Sequence, residues 1–203
     1  MTGQETTNEN SILEAAHKIF LTRGFSGTSM QDIAQEAGTT KSMVNYYFRS
    51  KDKLFARVFR AEFINLFASI GSCVLSDLPL KQKIKRIVEL DIERLMPMPD
   101  LPIFIMSEMH RNPQIILDDL EHIPIKNMIQ KLDTDIQTEV KKKKIRPIQP
   151  LELMMNIQSL TIYPILAKPM LIHRLGMSDK AYRLMMEKRK VDIVEFIWNG
   201  IKI

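Results

Sequence analysis

The stretch of residues 28–51 constrains the fold of this chain more than any other. It reads TSMQDIAQEAGTTKSMVNYYFRSK, in which two short helical patterns are separated by a glycine. Thr28 and Gln31 have the spacing of a capping box at the start of the first helix, and Gly38 suits the left-handed conformation that ends a helix. The segment therefore predicts a helix, a tight turn and a second helix, which is the arrangement of a helix-turn-helix.

The second helix, from Lys41 to about Tyr47, is expected to have two chemically different faces. Thr39 or Thr40 can cap its start. At about 100° per residue, a polar sector of roughly 140° opposes an apolar face that includes Met43. In a helix-turn-helix the second helix lies in the DNA major groove, so polar side chains there are candidates for contacts with base edges and phosphates. The polar sector consists of Lys41, Ser42, Asn45, Tyr46 and Arg49, of which the first four are the predicted groove contacts.

Several short blocks around this segment follow one another in a characteristic order. SILEAAHKIFLTRG at residues 11–24 precedes Phe25 and the Thr28 cap, and DIAQEAG and YYFRSKDKLF follow. In order and spacing these blocks resemble the DNA-binding segment of the TetR/AcrR family of bacterial repressors. The resemblance covers the first quarter of the chain, and YYFRSK with a following leucine is its most specific part. The rest of the chain resembles the family only in length and helical character.

The resemblance implies a two-domain architecture and a set of DNA-binding residues. Residues 1–52 would form a three-helix, helix-turn-helix DNA-binding domain, and residues 53–203 a helical ligand-binding and dimerisation domain. In the family pattern, Thr28, Tyr47 and Lys51 stand at helix starts and at the end of the reading helix, where they would anchor the DNA backbone. The complete set of candidate DNA-binding residues is Thr28, Thr39, Thr40, Lys41, Ser42, Asn45, Tyr46, Tyr47 and Lys51.

Positive charge is concentrated at the predicted reading helix and just after it. The chain has a net charge of +5, and residues 38–60 contain six basic residues against one acidic residue, whereas residues 1–37 contain two against five. A phosphate-facing surface requires such a cluster, although a solvated basic face would have the same composition. A second basic run at residues 141–144 is interpreted as a solvated helix end whose lysines complement the helix dipole.

Glycine content and proline positions predict an all-α chain of about nine helices. Seven glycines and few alternating β-branched runs argue for helices rather than strands. Prolines mark the breaks between them. Prolines are predicted to distort two of the nine helices: residues 113–144 are kinked or interrupted at Pro124, and residues 151–173 are bent at Pro164 and Pro169.

The sequence favours a cytoplasmic protein without a membrane partner. The longest uncharged run, at residues 153–167, is fifteen residues long, and a membrane span needs roughly 20 apolar residues. The polar and acidic N-terminus does not have the pattern of a signal sequence. Cys73 is the one cysteine, which excludes an intrachain disulfide and fits a reducing compartment.

Methionine is abundant in the larger, C-terminal part of the chain. Because methionine re-packs around varied partners, this part is suited to a pocket for an apolar or amphipathic small-molecule effector, which the family resemblance also implies. A methionine-rich core without a ligand is the alternative. No cofactor is predicted, and the histidines form no tight pair of strong ligands that would predict a metal site. The region contains Met96, Met98, Met106, Met109, Met128, Met154, Met155 and Met170, with Phe104, Ile105 and Tyr163.

Recognition of a specific DNA sequence requires more than one reading helix. One such helix covers only a few base pairs, so we expect a homodimer on two half-sites about 34 Å apart, or a multiple of that distance, in an inverted-repeat operator. The last two predicted helices, residues 151–173 and 178–199, carry apolar stripes that could pack as a two-fold four-helix bundle. Burial within the subunit is the alternative. The stripes are Leu153, Met154, Ile157, Leu160 and Thr161, and Leu184, Met185, Val191, Val194 and Trp198.

These features together predict a sequence-specific DNA-binding transcriptional regulator that acts as a ligand-responsive repressor. A long fourth helix, predicted for residues 50–75, would belong to both domains. Ligand binding would change its orientation and hence the separation of the two reading helices, although some relatives bind DNA better with ligand. The alternatives are a helical small-molecule-binding protein without DNA binding and a helical enzyme. No enzymatic activity is predicted, since the sequence has neither a glycine-rich phosphate loop nor a nucleophile elbow.

Overall fold

The structure is a computed structural model that describes residues 3–111 and 113–203. α-Helices make up the regular structure of these residues, apart from one isolated antiparallel bridge between Ile145 and Lys202. The predicted all-α fold class is therefore confirmed. The helices are α1 (Gly3–Arg23), α2 (Met30–Glu36), α3 (Lys41–Phe48), α4 (Lys51–Leu75), α5 (Leu80–Leu95), α6 (Asp100–Arg111), α7 (Pro113–Asp119), α8 (Ile125–Lys141), α9 (Pro150–Leu166), α10 (Lys168–His173) and α11 (Asp179–Ile201).

Prolines account for the difference between the eleven helices of the described residues and the nine predicted. The segment predicted at residues 113–144 divides into α7 and α8, and Pro124 stands directly before α8. The segment predicted at residues 151–173 divides at Ala167, because Pro169 has no N–H to continue the α9 hydrogen-bond ladder and stands instead at the start of α10. The predicted count of about nine helices is therefore two lower than the count in the described residues, because each of these two segments was predicted as one helix.

The chain folds into two compact units. Unit 1 comprises Met1–Ile64 and Pro97–Ile116, and unit 2 comprises Asn65–Met96 and Leu117–Ile203. The continuous helix α4 contributes its N-terminal part to unit 1 and its C-terminal part to unit 2. Helix α6 belongs to unit 1, although it follows α5 of unit 2 in the sequence. The predicted domain boundary between residues 52 and 53 stays a prediction.

An aromatic cluster centred on Phe55 of α4 forms the core of unit 1. Its ring meets Phe20 and Phe25 edge-on at centroid distances of 5.0 Å and 4.8 Å. It also meets Phe104 of α6 edge-on at 5.7 Å and stacks on Phe59 at 3.8 Å. Each such pair stabilises the fold by roughly 0.5–1.5 kcal/mol beyond the area it buries. Helix α6 is therefore part of the same core as the end of α1 and the first turns of α4.

Among the described residues, α4 is the one helix long and apolar enough to cross a membrane by length and composition alone. Its most apolar window has a mean hydropathy of 1.4, and 44% of that window is buried inside the protein. Core helices of proteins share both properties. Phe59 is buried in the unit 1 part of α4 and Ile70 in the unit 2 part, so this composition serves burial in both units.

The predicted dimer stripes are divided between the interior and the surface of unit 2. Leu153, Ile157 and Thr161 of α9 are completely buried, and Val194 of α11 is nearly so. These four side chains follow the predicted alternative, burial within the subunit, because α5, α9 and α11 pack against one another there. Other apolar side chains of the same two helices are exposed instead: Leu151, Met155 and Tyr163 on α9, and Leu184, Val191 and Phe196 on α11.

Asp91 of α5 is a completely buried carboxyl group in unit 2. Its Oδ2 accepts hydrogen bonds from Thr161 Oγ1 at 2.9 Å and from Gln158 Nε2 at 3.0 Å. Burial disfavours the charged form and raises the pKa of Asp91 to about 6, although the two hydrogen bonds act in the opposite direction. The pair of bonds joins α5 to α9 at the cost of burying an ionisable group.

Lys83 of α5 is also completely buried. Its Nζ donates to Val74 O at 2.5 Å and forms an ion pair with Asp135 Oδ2 of α8 at 2.5 Å. Val74 O lies in the last turn of α4, where carbonyl groups have no partner within the helix. Lys83 therefore satisfies the C-terminal end of α4 and connects α4, α5 and α8 inside unit 2.

We predict that Asp91→Asn makes the free energy of unfolding less dependent on pH. The pKa of Asp91 is raised from 3.8 to about 6 on folding, so the folded state binds a proton at Asp91 more tightly than the unfolded state does. Protonation of Asp91 therefore stabilises the folded state at low pH, and this stabilisation is lost as pH rises through about 6. Asparagine stays neutral and keeps an acceptor for Thr161 and Gln158. The difference between variant and wild type, measured by urea unfolding, should grow by about 3 kcal/mol between about pH 4 and pH 7.

The control for this prediction is Asp192→Asn, which removes an exposed carboxylate of α11. Its difference from wild type should change little over the same pH range, because exposed ion pairs contribute little. A difference for Asp91→Asn that is equal at both pH values would contradict the prediction.

Candidate nucleic-acid interface

Helix α2 begins with a capping box one residue later than predicted. Asp32 N donates to Ser29 Oγ at 3.2 Å, and Ser29 N donates to Asp32 Oδ2 at 2.9 Å. The predicted pair of Thr28 and Gln31 is therefore wrong, and Ser29 and Asp32 form the box with the same spacing. Hydrogen bonds from the hydroxyl and then from the amide of Ser29 lower the pKa of Asp32.

The turn between α2 and α3 is a Schellman motif. Thr39 N donates to Ala34 O at 2.9 Å, and Gly38 N donates to Gln35 O at 3.2 Å. Gly38 has φ = +64°, a left-handed conformation that costs residues with a side chain roughly 1–2 kcal/mol. The predicted role of Gly38 at the end of α2 is confirmed.

Helix α3 is fixed at its start by a cap and along its inner side by two buried side chains. Thr40, one of the two predicted caps, accepts from Met43 N through its Oγ1 at 3.2 Å. Val44 and Phe48 are buried in unit 1. Thr39 is half-buried in the turn. These contacts decide which side of α3 faces solvent.

The outer side of α3 is the predicted polar sector. Lys41, Ser42, Asn45 and Tyr46 are all exposed, and Tyr46 is 72% exposed. Tyr47 is half-buried and meets the Tyr46 ring edge-on at a centroid distance of 5.3 Å. These four side chains offer an ammonium, two hydroxyls and a carboxamide, which are groups that hydrogen-bond base edges and phosphate oxygens.

Two of the predicted backbone anchors hold the turn between α1 and α2. Thr28 is buried, and its Oγ1 donates to Gly24 O at 2.7 Å. Lys51 Nζ donates to Phe25 O and to Thr28 O, each at 3.0 Å, and lies 4.2 Å from the centroid of the Phe25 ring. Both side chains thus have partners within unit 1. Their predicted contact with DNA, like that of Tyr47, stays a prediction.

The basic residues that follow Gly38 are spread over α3 and the start of α4. Lys41, Arg49, Lys53 and Arg57 are exposed. Arg49 ends α3 with φ = +62°, and its N–H donates to Asn45 O. The positive charge therefore lies partly within the polar sector, at Lys41 and Arg49, and partly in the first turns of α4, and a phosphate-facing surface requires such a concentration of charge.

Asp100, at the start of α6, contacts the same turn and has no counterpart in the sequence prediction. Its Oδ2 accepts a hydrogen bond from Phe25 N at 3.2 Å. The sequence places Asp100 in a proline-rich break, far from the helix-turn-helix. Only its position at the start of a helix, where an acidic residue is favourable, could have drawn attention to it.

Residues 12–58 match the model of the family described as bacterial regulatory proteins, tetR family. These residues contain α2, the turn and α3, together with the start of α4. Residues 12–58 therefore form a DNA-binding segment of the TetR family. The chain is a DNA-binding transcriptional regulator, as the resemblance implied.

The wider comparisons agree with this assignment. The HTH-type transcriptional regulator RutR of Escherichia coli (strain K12) is 28% identical over 156 residues, which are 77% of this chain and 73% of RutR. The matched curated relatives are named transcriptional regulators, which favours the prediction of a non-enzymatic role.

Solved structures with low sequence identity share the fold of the whole chain. A transcriptional regulator from Cytophaga hutchinsonii has a TM-score of 0.61 at 19% identity, with 95% of this chain and 97% of that chain covered. FadR from Bacillus subtilis, in complex with stearoyl-CoA, has a TM-score of 0.59 at 14% identity, with 95% and 99% covered. The fold outside the DNA-binding segment is thus also that of known regulators.

We predict that Gly38→Ala weakens DNA binding and lowers the free energy of unfolding by about 1–2 kcal/mol. A Cβ at this position meets no atom within 4 Å, so the cost arises from the positive φ alone. Gly176→Ala is the matched control, because Gly176 has φ = +68°, equally open surroundings and a place in unit 2. Urea unfolding should show similar losses for both variants, whereas DNA affinity should fall for Gly38→Ala only. Equal DNA affinities of the two variants would contradict the prediction.

Proposed function

We propose that this regulator binds an inverted-repeat operator in double-stranded DNA as a homodimer and represses transcription until an effector binds. The exposed polar sector of α3, next to exposed basic residues, carries this proposal. A cytoplasmic location accords with this role.

The residues proposed to touch DNA divide by chemistry. Lys41 and Asn45 can hydrogen-bond base edges, and asparagine can bind adenine through two hydrogen bonds. Ser42 and Tyr46 end in hydroxyls that suit phosphate oxygens as well as bases. Thr39, Thr40 and Tyr47 stand near the ends of α3, where backbone N–H groups and side chains can meet the DNA backbone. Thr28 and Lys51 are proposed to act chiefly by holding the preceding turn, since their polar atoms already have partners there.

Selection of bound sequences from random duplex DNA tests the reading helix and finds the operator. We expect wild-type protein to enrich an inverted repeat with half-sites about one helical turn apart, or a multiple. The variant Lys41→Ala/Tyr46→Ala should lose or alter that motif, because it removes two of the groups exposed on α3. The control Lys126→Ala removes an exposed lysine from the first turn of α8 in unit 2 and should enrich the wild-type motif.

The same selection can contradict the operator and the homodimer separately. If wild-type protein enriches no sequence even at low salt, where phosphate contacts are strongest, the operator proposal is wrong. A helical small-molecule-binding protein would then explain unit 2 better. A recovered motif without inverted symmetry would contradict the homodimer but not sequence-specific binding.

The homodimer is proposed to form through the exposed apolar side chains of α9 and α11. TetR-family regulators form dimers, and a two-fold interface uses the same surface on both subunits. The apolar side chains here are each more than half exposed in the isolated subunit, and exposed large apolar side chains that share a helix pair are candidates for an interaction surface. The set is Leu151, Met155 and Tyr163 of α9, with Leu184, Val191 and Phe196 of α11.

We predict that Phe196→Glu shifts the protein from dimer to monomer. Phe196 is 70% exposed, and a carboxylate buried at its place in the interface would be costly. Light scattering after size-exclusion chromatography should show the monomer mass, and operator affinity should fall with it. Leu175→Glu is the control, because Leu175 is 66% exposed and lies between α10 and α11. A dimeric Phe196→Glu protein would place the interface elsewhere.

The effector is proposed to be an apolar or amphipathic small molecule. Adaptable methionines are present in both units: Met106 and Met109 are exposed on α6, whereas Met128 is buried on α8. FadR from Bacillus subtilis, which has the same fold, holds the amphipathic ligand stearoyl-CoA. Stearoyl-CoA is accordingly the first probe for release of the recovered operator.

Helix α4 is proposed to connect the effector to the reading helices. It runs without interruption from Lys51 to Leu75, and its two parts belong to the two units. An effector can shift the protein only by its difference in affinity for two conformations, and a difference of about 1–3 kcal/mol gives a response of roughly 5- to 150-fold. Operator release is the expected direction for a repressor.

A further inference from the structure

We infer that Asp100 is a positioning residue for DNA binding, which fixes the turn between α1 and α2 from outside the DNA-binding segment. This inference rests on the proposal that α3 reads the operator. Asp100 lies on α6, beyond residues 12–58 that carry the family match. Both α6 and the turn belong to unit 1.

The contact between Asp100 and the turn is a direct hydrogen bond to the main chain. Phe25 N donates to Asp100 Oδ2 at 3.2 Å. Gly24 makes this approach possible, because its φ is +67° and a Cβ there would lie 3.3 Å from the same oxygen. A charged acceptor makes a stronger hydrogen bond than a neutral one, so the carboxylate holds the amide of Phe25 in a defined direction.

Three carbonyl groups of the turn accept hydrogen bonds from a side chain of α4 and from a side chain of the turn itself. Lys51 Nζ of α4 binds Phe25 O and Thr28 O, and Thr28 Oγ1 binds Gly24 O. Lys51 therefore fixes carbonyl groups, whereas Asp100 fixes the N–H group of Phe25. Because Ser29, the cap of α2, follows directly after Thr28, the position of this turn sets where α2 begins.

Helix α2 connects the turn between α1 and α2 to the reading helix α3. Ala34 O and Gln35 O of α2 form the Schellman hydrogen bonds of the turn before α3, and α2 and α3 pack against each other. A displaced start of α2 therefore displaces the polar sector of α3 relative to the rest of unit 1. Asp100 acts on DNA affinity through this chain of contacts, without touching DNA.

Three variants of the full-length protein test the role of Asp100. Asp100→Ala removes the acceptor, Asp100→Asn keeps a neutral acceptor of the same shape, and Asp52→Ala removes a negative charge from the same cleft of unit 1. No described hydrogen bond joins Asp52 to the turn. The readouts are hydrogen exchange of the Phe25 amide, affinity for the operator recovered from wild-type protein, and melting temperature.

We expect Asp100→Ala to speed exchange of the Phe25 amide and to weaken operator binding, each by about 10-fold, the order expected for the loss of one hydrogen bond to a charged group. Asp100→Asn should restore most of both properties. Asp52→Ala should leave the exchange rate unchanged and should not weaken operator binding. A purely structural role would lower the melting temperature and DNA affinity together, without rescue by asparagine.

Several results would overturn this role. Unchanged exchange of the Phe25 amide in Asp100→Ala would show that the bond does not hold the turn. An affinity loss that is equal in Asp100→Ala and Asp100→Asn, with an unchanged melting temperature and with slow exchange of the Phe25 amide restored in Asp100→Asn, would assign the effect to the charge of Asp100 and not to its hydrogen bond. If wild-type protein has no operator, the proposed function fails, whereas the exchange measurement still reports on the bond.

Discussion

The packing of Phe55 against four other phenylalanine rings is the interaction on which unit 1 depends. The rings come from the end of α1, from the turn after it, from α4 and from α6, so a single cluster brings together segments that are distant in the sequence. Hydrophobic burial is not directional. Directional hydrogen bonds are therefore needed to fix the relative positions of these segments. Lys51 and Asp100 form such bonds with the main-chain O and N–H of Phe25.

Unit 2 combines burial and polar bonds in a similar way, with ionisable groups inside its core. Asp91 joins α5 to α9 through Thr161 and Gln158, and Lys83 joins α5 to α8 and to the end of α4. Buried ionisable groups are weak evidence for stability, because their desolvation opposes the bonds they form. Apolar helix faces, however, can slide past one another. We interpret both groups as fixing the register of helices whose apolar faces alone would allow several arrangements.

The parts of the fold that local chemistry determines could be predicted from the sequence. Gly38 and the two faces of α3 follow from backbone conformation and from helical periodicity. The cap of α2 was misplaced because Thr28 and Ser29 are adjacent and each has a suitable partner three residues later. The bond from Asp100 to Phe25 could not be predicted, since it spans 75 residues of sequence and depends on tertiary packing. For the same reason, periodicity alone could not decide which apolar side chains of α9 and α11 are buried.

The length of α3 explains why contacts that never reach DNA should matter for recognition. This helix has eight residues, and isolated helices shorter than about 12–15 residues are marginal in water. Its conformation therefore depends on the Thr40 cap and on the burial of Val44 and Phe48. Its direction depends on α2, which begins directly after the turn that Lys51 and Asp100 hold. Any change in these supporting contacts displaces Lys41, Asn45 and their neighbours together, so the core of unit 1 controls recognition as much as the exposed side chains do.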